Sequence, residues 1–256
     1  MTAPRVLRTR SGALEYTIAG NGLPAIVLVS GAGMTLASWR ALSPAIERLG
    51  TVVAWNRFGV EGSDPAAAPQ TGTRVVAAMR ELLARAGLEP PFVLVAHSLG
   101  GLHANLFARI HPHEVAGAMF VEATHPGDHG TLQHHEAALT RALAKVQGLP
   151  KEFFADNLHA ELESVADTVA AIEAAGPFPE IPLTVVTGAL DPPQRWVPQR
   201  ARGARREHQL DLARLSPLGE HLIAMGSGHF PQLSEPAVVI GALRRLVAAT
   251  RAYALA

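Results

Sequence analysis

Residues 92–101 read FVLVAHSLGG. The first half is a continuous apolar, β-branched run, the pattern of a strand buried on both faces. The second half sets Ser98 between small residues, Ala96 two positions before it and Gly100 two after, and a helical pattern follows over 100–111. A serine so placed sits on a sharp turn at the carboxyl end of a strand. The small neighbours let that turn close, and the helix directs its N-terminal N–H groups and positive dipole end at the same point.

Working outward, short apolar runs recur at 25–30 (AIVLVS), 52–55 (VVAW), 118–121 (AMFV), 183–187 (LTVVT) and 221–224 (HLIA). Between them lie helical patterns over 39–49, 72–87 and 100–111, an Arg-rich stretch after 187, and a last helix over 236–254. Strands alternating with helices of this length predict an α/β fold with a mostly parallel sheet flanked by helices. Residues 126–182 break the alternation, with helical stretches near 132–146 and 158–175 closed by Pro177, Pro179 and Pro182. They read as a small helical lid inserted into a core made of residues 1–125 and 183–256.

The chain has 256 residues, 48% of them hydrophobic and 17% charged, so it can bury a large core. Its 22 basic and 22 acidic side chains cancel, which leaves no basic field for nucleic acid or anionic lipid. With no cysteine, thiolate catalysis, disulfides and Cys-ligated zinc are excluded. Arg5, Arg8 and Arg10 precede no apolar segment of signal-peptide type. Residues 14–39 and 90–108 are poor in charge but broken by Gly, Pro, Ser or His, so neither predicts a spanning helix. A cytoplasmic protein that meets neither membrane nor nucleic acid is the expectation, with a homodimer left open.

The strand, the small-x-Ser-x-Gly-Gly turn and the helix together form a nucleophile elbow, with Ala96 in the first glycine position. With the Gly31-Ala32-Gly33 turn after an earlier strand, and Asn56-Arg57-Phe58-Gly59-Val60-Glu61-Gly62-Ser63-Asp64, the sequence resembles the α/β-hydrolase fold superfamily. The last segment is similar to that family's D-R-x-G-x-G-x-S turn, with Asn56 for Asp and Glu61 where a second glycine is usual. The resemblance runs from about Leu14 to Leu246 and is weakest in the lid. It implies a serine esterase or lactonase.

A serine hydroxyl needs a base. Of 12 histidines, His229 in 226–231 (GSGHFP) follows the last strand and precedes the last helix, at the sheet edge where the elbow lies. G-x-G-H-F is also how the family's catalytic histidine typically appears. The base in turn needs a carboxylate, and in this fold the acid falls between Ser and His. Asp191 stands directly after the run 183–187, the usual family position. Glu122 stands at the tip of the run 118–121, where some members carry the acid instead and where a similar subgroup reads V-D-A-S-H-P. A carboxylate at the tip of a buried strand is costly unless paired, which favours Glu122, with Asp191 kept as the alternative.

The resemblance places the oxyanion hole at the backbone N–H groups of Leu99 and Ala32, with Gly33 or Met34 as substitutes for Ala32. Gly31, Gly33, Met34, His97, Phe153, Phe154 and Phe230 are expected to line a substrate pocket, and Leu143, Val146, Leu149 and Leu158 to belong mainly to the lid's own core. His125, His129, His134 and His135 cluster in the lid, but their spacing matches no tight ligand pattern, so neither metal nor cofactor is expected. The expected reaction is transfer of an acyl group from a small ester or lactone to Ser98 and then to water. A cofactor-free haloperoxidase, a C–C hydrolase, a lyase or a non-enzymatic receptor could use the same scaffold.

Overall fold

The computed structural model of the chain describes residues 2–128, 150–155, 157–191 and 199–253. Its centre is one eight-stranded sheet: β1 (Arg5–Thr9), β2 (Gly12–Ala19), β3 (Ala25–Val29), β4 (Thr51–Trp55), β5 (Phe92–His97), β6 (Val115–Val121), β7 (Leu183–Gly188) and β8 (Gly219–Ala224). The order across the sheet is β1-β2-β4-β3-β5-β6-β7-β8. From β4 to β8 every pairing is parallel, and the β1–β2 hairpin joins antiparallel through β2 against β4. The six apolar runs are all strands. The hairpin has no such run, because β1 is largely exposed and β2 is buried only in part.

Alternate strand residues feed two cores. Val27, Val29, Leu94, Ala96, Phe120 and Val185 face one side, where α2 (Gly72–Arg85) and α3 (Gly100–Ile110) cover them. Ile26, Leu28, Val93, Val95, Met119, Val121 and Val186 face the other, beneath a long C-terminal helix, Pro236–Tyr253. Burying each of these Val, Leu, Ile, Phe or Met side chains contributes about 1.5–3 kcal/mol. Carrying both faces on the same strands is what makes the runs continuously apolar.

Two expected helices are divided. The stretch 39–49 is a 3-10 turn, Leu36–Trp39, followed by a short α1, Ser43–Ile46. Pro44 fits only the first turn of a helix, where its missing N–H costs nothing. The stretch 158–175 is two helices, α4 (Leu158–Glu163) and α5 (Val165–Ala174), parted at Ser164, whose φ of −92° and ψ of 4° leave the helical region. The expected helix over 132–146, with Leu143, Val146 and Leu149, lies outside the described residues.

Within the expected lid, α5 lies on α2 and α3. Its Val165, Val169 and Ile172 join the same buried cluster, and Thr168 Oγ1 accepts the Gly72 N–H at 2.8 Å. After β7 the chain forms α6 (Gln199–Ala213), and after β8 it forms α7 (Pro231–Ser234) and the C-terminal helix, α8. Among the described residues no helix is long and apolar enough to cross a membrane.

Candidate active site

Parallel strands bring their carboxyl ends to one edge, and the site is assembled there. Ser98 follows β5 with φ of +50°, a left-handed conformation unusual for a residue with a side chain. Its backbone is fixed on three sides. The Ser98 N–H donates to the Val121 carbonyl at 3.3 Å, and its own carbonyl accepts from Gly101 at 2.8 Å and Thr124 at 3.0 Å. The glycines have a steric reason. A Cβ on Gly100 would stand 2.4 Å from the Val29 carbonyl oxygen, and one on Gly101 would stand 2.4 Å from the Ala123 Cβ. The start of α3 is wedged between the ends of β3 and β6.

His229 reaches this turn from the loop after β8, with Nε2 3.2 Å from Ser98 Oγ. Its Nδ1 lies 3.3 Å from Glu122 Oε2. Glu122 is the residue directly after β6, also left-handed at φ +48° and almost wholly buried. Its Oε1 accepts the Gly188 N–H at 2.7 Å, and its Oε2 also accepts from Arg205 of α6. Serine, imidazole and carboxylate thus form one continuous chain of polar contacts.

Residues 24–201 match the family model for the α/β hydrolase fold. The chain belongs to the α/β-hydrolase family. The hydrolase fold is shared with a thermophilic esterase from Thermogutta terrifontis (18% identity, 97% of this chain and 99% of that one, TM-score 0.70). It is shared with the enol-lactonase from Burkholderia xenovorans LB400 (16% identity, 95% and 100%, TM-score 0.71). A putative epoxide hydrolase from Pseudomonas aeruginosa aligns equally fully (17% identity, 97% and 96%, TM-score 0.75). Among curated relatives, an uncharacterized protein of Schizosaccharomyces pombe is 39% identical over 97 residues, 38% of this chain and 18% of that protein. A probable transporter, efuK, of Hormonema carpetanum is 29% identical over 105 residues, 40% and 15%. The chain therefore spans only a small part of these two relatives.

In this member of the family the two acids differ in surroundings. Burial alone would raise the Glu122 carboxyl, but the Arg205 guanidinium and His229 outweigh it and hold it at about 2. Asp191 instead meets Arg206 Nη2 at 2.5 Å, with its side chain about a third exposed. Burial lowers the His229 imidazole and Arg205 adds to this, while Glu122 opposes both. Arg205 Nη2 stands 3.3 Å from His229 Nδ1, so guanidinium and imidazole compete for the same carboxylate oxygen.

The turn after β3 carries the expected oxyanion donors. Gly33 N–H donates to Glu161 Oε2 at 2.6 Å, and Met34 N–H donates to the Gly31 carbonyl at 3.1 Å. Both substitutes are thereby engaged. Leu99, the other expected donor, stands at the head of α3 next to Ser98. Gly31 packs against the nucleophile turn, since a Cβ there would meet His97 Nδ1 at 2.9 Å and Ser98 Cβ at 3.0 Å.

His97 and Phe230, expected in the pocket lining, lie behind the imidazole. His97 Nε2 donates to the His229 carbonyl at 2.8 Å, and its own ionisation is pushed down to about 3, chiefly by burial and then by His229. Phe230 is fully buried, 5.0 Å centroid to centroid from the His229 ring and 5.3 Å from His97. Phe153 and Phe154 meet the turn through their backbones. The Phe153 carbonyl accepts Thr35 N–H at 3.0 Å, and Phe154 forms an antiparallel bridge with Met34. Of the lid histidines, His125 stacks on His208 and the other three lie outside the described residues. Among the described residues no group of His, Cys, Asp or Glu could hold a metal.

The sequence pattern gave no sign of Arg205 or Glu161. Arg57 lay in the quoted glycine-rich turn without a role. Its guanidinium meets Glu161 through Nε (2.5 Å) and Nη2 (2.9 Å), and also donates to the carbonyls of Ser30 and Gly31, both at 2.7 Å. Glu61, in the same turn, adopts φ of +45°, the conformation for which the family's usual glycine is suited. Asn56 spans two loops, its Oδ1 accepting Leu36 N–H at 2.7 Å and its Nδ2 donating to Glu15 at 2.6 Å.

Proposed function

We propose that this chain is a serine hydrolase that cleaves a carboxylic ester or lactone through an acyl-enzyme on Ser98. The observation that carries this reading is the unbroken line Ser98 Oγ–His229 Nε2 at 3.2 Å and His229 Nδ1–Glu122 Oε2 at 3.3 Å. Glu122 accepts the hydrogen bond from Nδ1–H, which leaves the Nε2 lone pair for the serine proton. His229 is lowered from its usual range by burial, so it is neutral and able to act as a base at neutral pH.

In the proposed reaction Ser98 Oγ attacks the carbonyl carbon while its proton passes to His229 Nε2. The oxyanion that forms accepts from the N–H groups of Leu99 and Ala32. Collapse expels the alcohol oxygen, which takes the proton from Nε2. Water then attacks the acyl-enzyme, gives its proton to the same nitrogen, and the acid leaves as Ser98 recovers its proton. Serine in place of aspartate at the elbow favours ester over epoxide chemistry, because serine opening an epoxide would form an ether that water does not release, whereas an acyl-serine is hydrolysed at the acyl carbonyl.

A panel of p-nitrophenyl esters and lactones tests this, run beside Ser98→Ala. The variant is expected to lose turnover by a factor of about 10⁴ or more. Turnover that survives the substitution would sink the serine mechanism.

A further inference from the structure

We propose that Glu161 is a positioning residue for the oxyanion-binding turn, acting with Arg57 to aim the Ala32 N–H at Ser98; this rests on the serine-hydrolase reading. The pair is deeply buried, with side-chain exposures of 3% for Arg57 and 1% for Glu161. Desolvating two ions costs several kcal/mol each, recovered only when their hydrogen-bonding capacity is filled. Here much of that capacity is spent on the main chain of one turn. Arg57 holds the carbonyls of Ser30 and Gly31, and Glu161 holds the N–H of Gly33.

The Gly31 carbonyl and the Gly33 N–H belong to the two peptide groups on either side of Ala32. A trans peptide points its C=O and N–H in opposite directions. Anchoring the Gly31 carbonyl on Arg57 therefore turns the Ala32 N–H away from the guanidinium, and Gly31, which shares that peptide, packs against Ser98. Anchoring Gly33 N–H on Glu161 fixes the next peptide plane in the same way. Gly33 has φ of +62°, and a Cβ on it would lie 3.0 Å from Leu158 Cβ, so the turn sits tightly under α4.

Glu161 belongs to α4, in the segment inserted between β6 and β7. That segment grips the turn at further points. Ala155 N–H donates to the Gly33 carbonyl at 2.7 Å, Thr35 N–H to the Phe153 carbonyl at 3.0 Å, and Thr35 Oγ1 to the Glu152 carbonyl at 2.7 Å. The insertion thus supplies a part of the proposed machinery. Without Glu161 the Arg57 guanidinium keeps its charge, loses its carboxylate, and is free to draw the turn out of line.

The test uses the full chain hydrolysing p-nitrophenyl acetate, with Glu161→Ala and Glu161→Gln beside wild type and Ser98→Ala. A misdirected oxyanion donor costs about 10²–10³ in kcat, so Glu161→Ala should lose about 10²-fold in kcat with KM within about threefold. Affinity for a trifluoromethyl ketone, which forms a tetrahedral adduct, should fall by a similar factor. Glu161→Gln keeps an acceptor for Gly33 but no charge for Arg57, and should lose about tenfold. If the alanine variant does not fold, by near-ultraviolet circular dichroism, the glutamine variant decides.

A folded variant with wild-type kcat and ketone affinity overturns the inference, as does a loss confined to KM. Failure of both variants to fold makes the pair a folding element and overturns it too. Turnover that survives Ser98→Ala overturns the serine reading itself. A wild type dependent on Ser98, with unaltered Glu161 variants, overturns only the role of Glu161.

Discussion

On Glu122 three donors converge: the Gly188 N–H, the Arg205 guanidinium and the His229 imidazole. Together they keep an almost buried carboxyl ionised, which burial alone would oppose. Removing its charge while keeping its shape should therefore be costly to the reaction. Glu122→Gln is expected to lower kcat by a factor of about 10²–10⁴, since the amide can no longer hold the working tautomer or balance an imidazolium. Asp191→Asn breaks a partly exposed pair with Arg206 and should leave kcat/KM within about twofold. Steady-state kinetics on the two purified variants checks this, and the reverse pattern would move the acid to Asp191. Ser98 and His229 were legible because each stands in a short local pattern. Glu122 was legible as the more costly of two carboxylates to bury. Arg205 was not, because α6 is rich in arginine and no periodicity marks which one turns toward a residue 83 positions away.

Where α3 meets the sheet, helix and strands approach too closely for side chains. Gly101 lies against Ala123, whose Cβ is fixed to the backbone just beyond β6 and has no flexible end to move. Gly101→Ala should therefore cost about 1–3 kcal/mol, seen as a lower midpoint in urea, and should lower kcat as the elbow shifts. Gly241 in α8 is the contrast, with open space where a Cβ would stand, so Gly241→Ala should add about 0.5–1 kcal/mol. Equal effects at the two positions would mean that close approach is not what holds a glycine at Gly101. Elements were legible to the extent that burial left a local mark. Five strands, β3 to β7, carry it because both their faces are covered; β8 stands at the sheet edge and is only partly buried, and the β1–β2 hairpin lacks the mark because much of it faces water. The break at Ser164 carries no such mark: the apolar pattern continues across it, since α4 and α5 both send residues to the same cluster.

Taken across the molecule, burial falls on imidazoles as well as on apolar side chains, and this sets how the fold responds to acid. His103 of α3 is pushed down to about 3 by burial, with Arg57 nearby adding to the effect, and His97 to about 3 by burial and His229. In the unfolded chain both would bind a proton near 6.5. Between about pH 6.5 and 3 the unfolded state therefore carries protons that the folded state refuses. Their contribution to stability is complete above about 6.5 and is lost progressively as pH falls through that window. Glu122 adds a second loss at lower pH: held at about 2 when folded, it stabilises above its unfolded value of roughly 4.3 and ceases to do so as pH falls toward 2. Unfolding in urea should thus give a constant free energy above about pH 7 and a decline below about 6.5. In that window each such histidine contributes a slope approaching about 1.4 kcal/mol per pH unit. His103→Gln cannot take up a proton, so its slope between pH 6 and 4 should be smaller than wild type by about that amount, whatever the substitution costs at pH 7. Parallel lines for the two proteins would mean that His103 gains its proton equally well in the folded molecule, and that the packing around α3 admits a charge there.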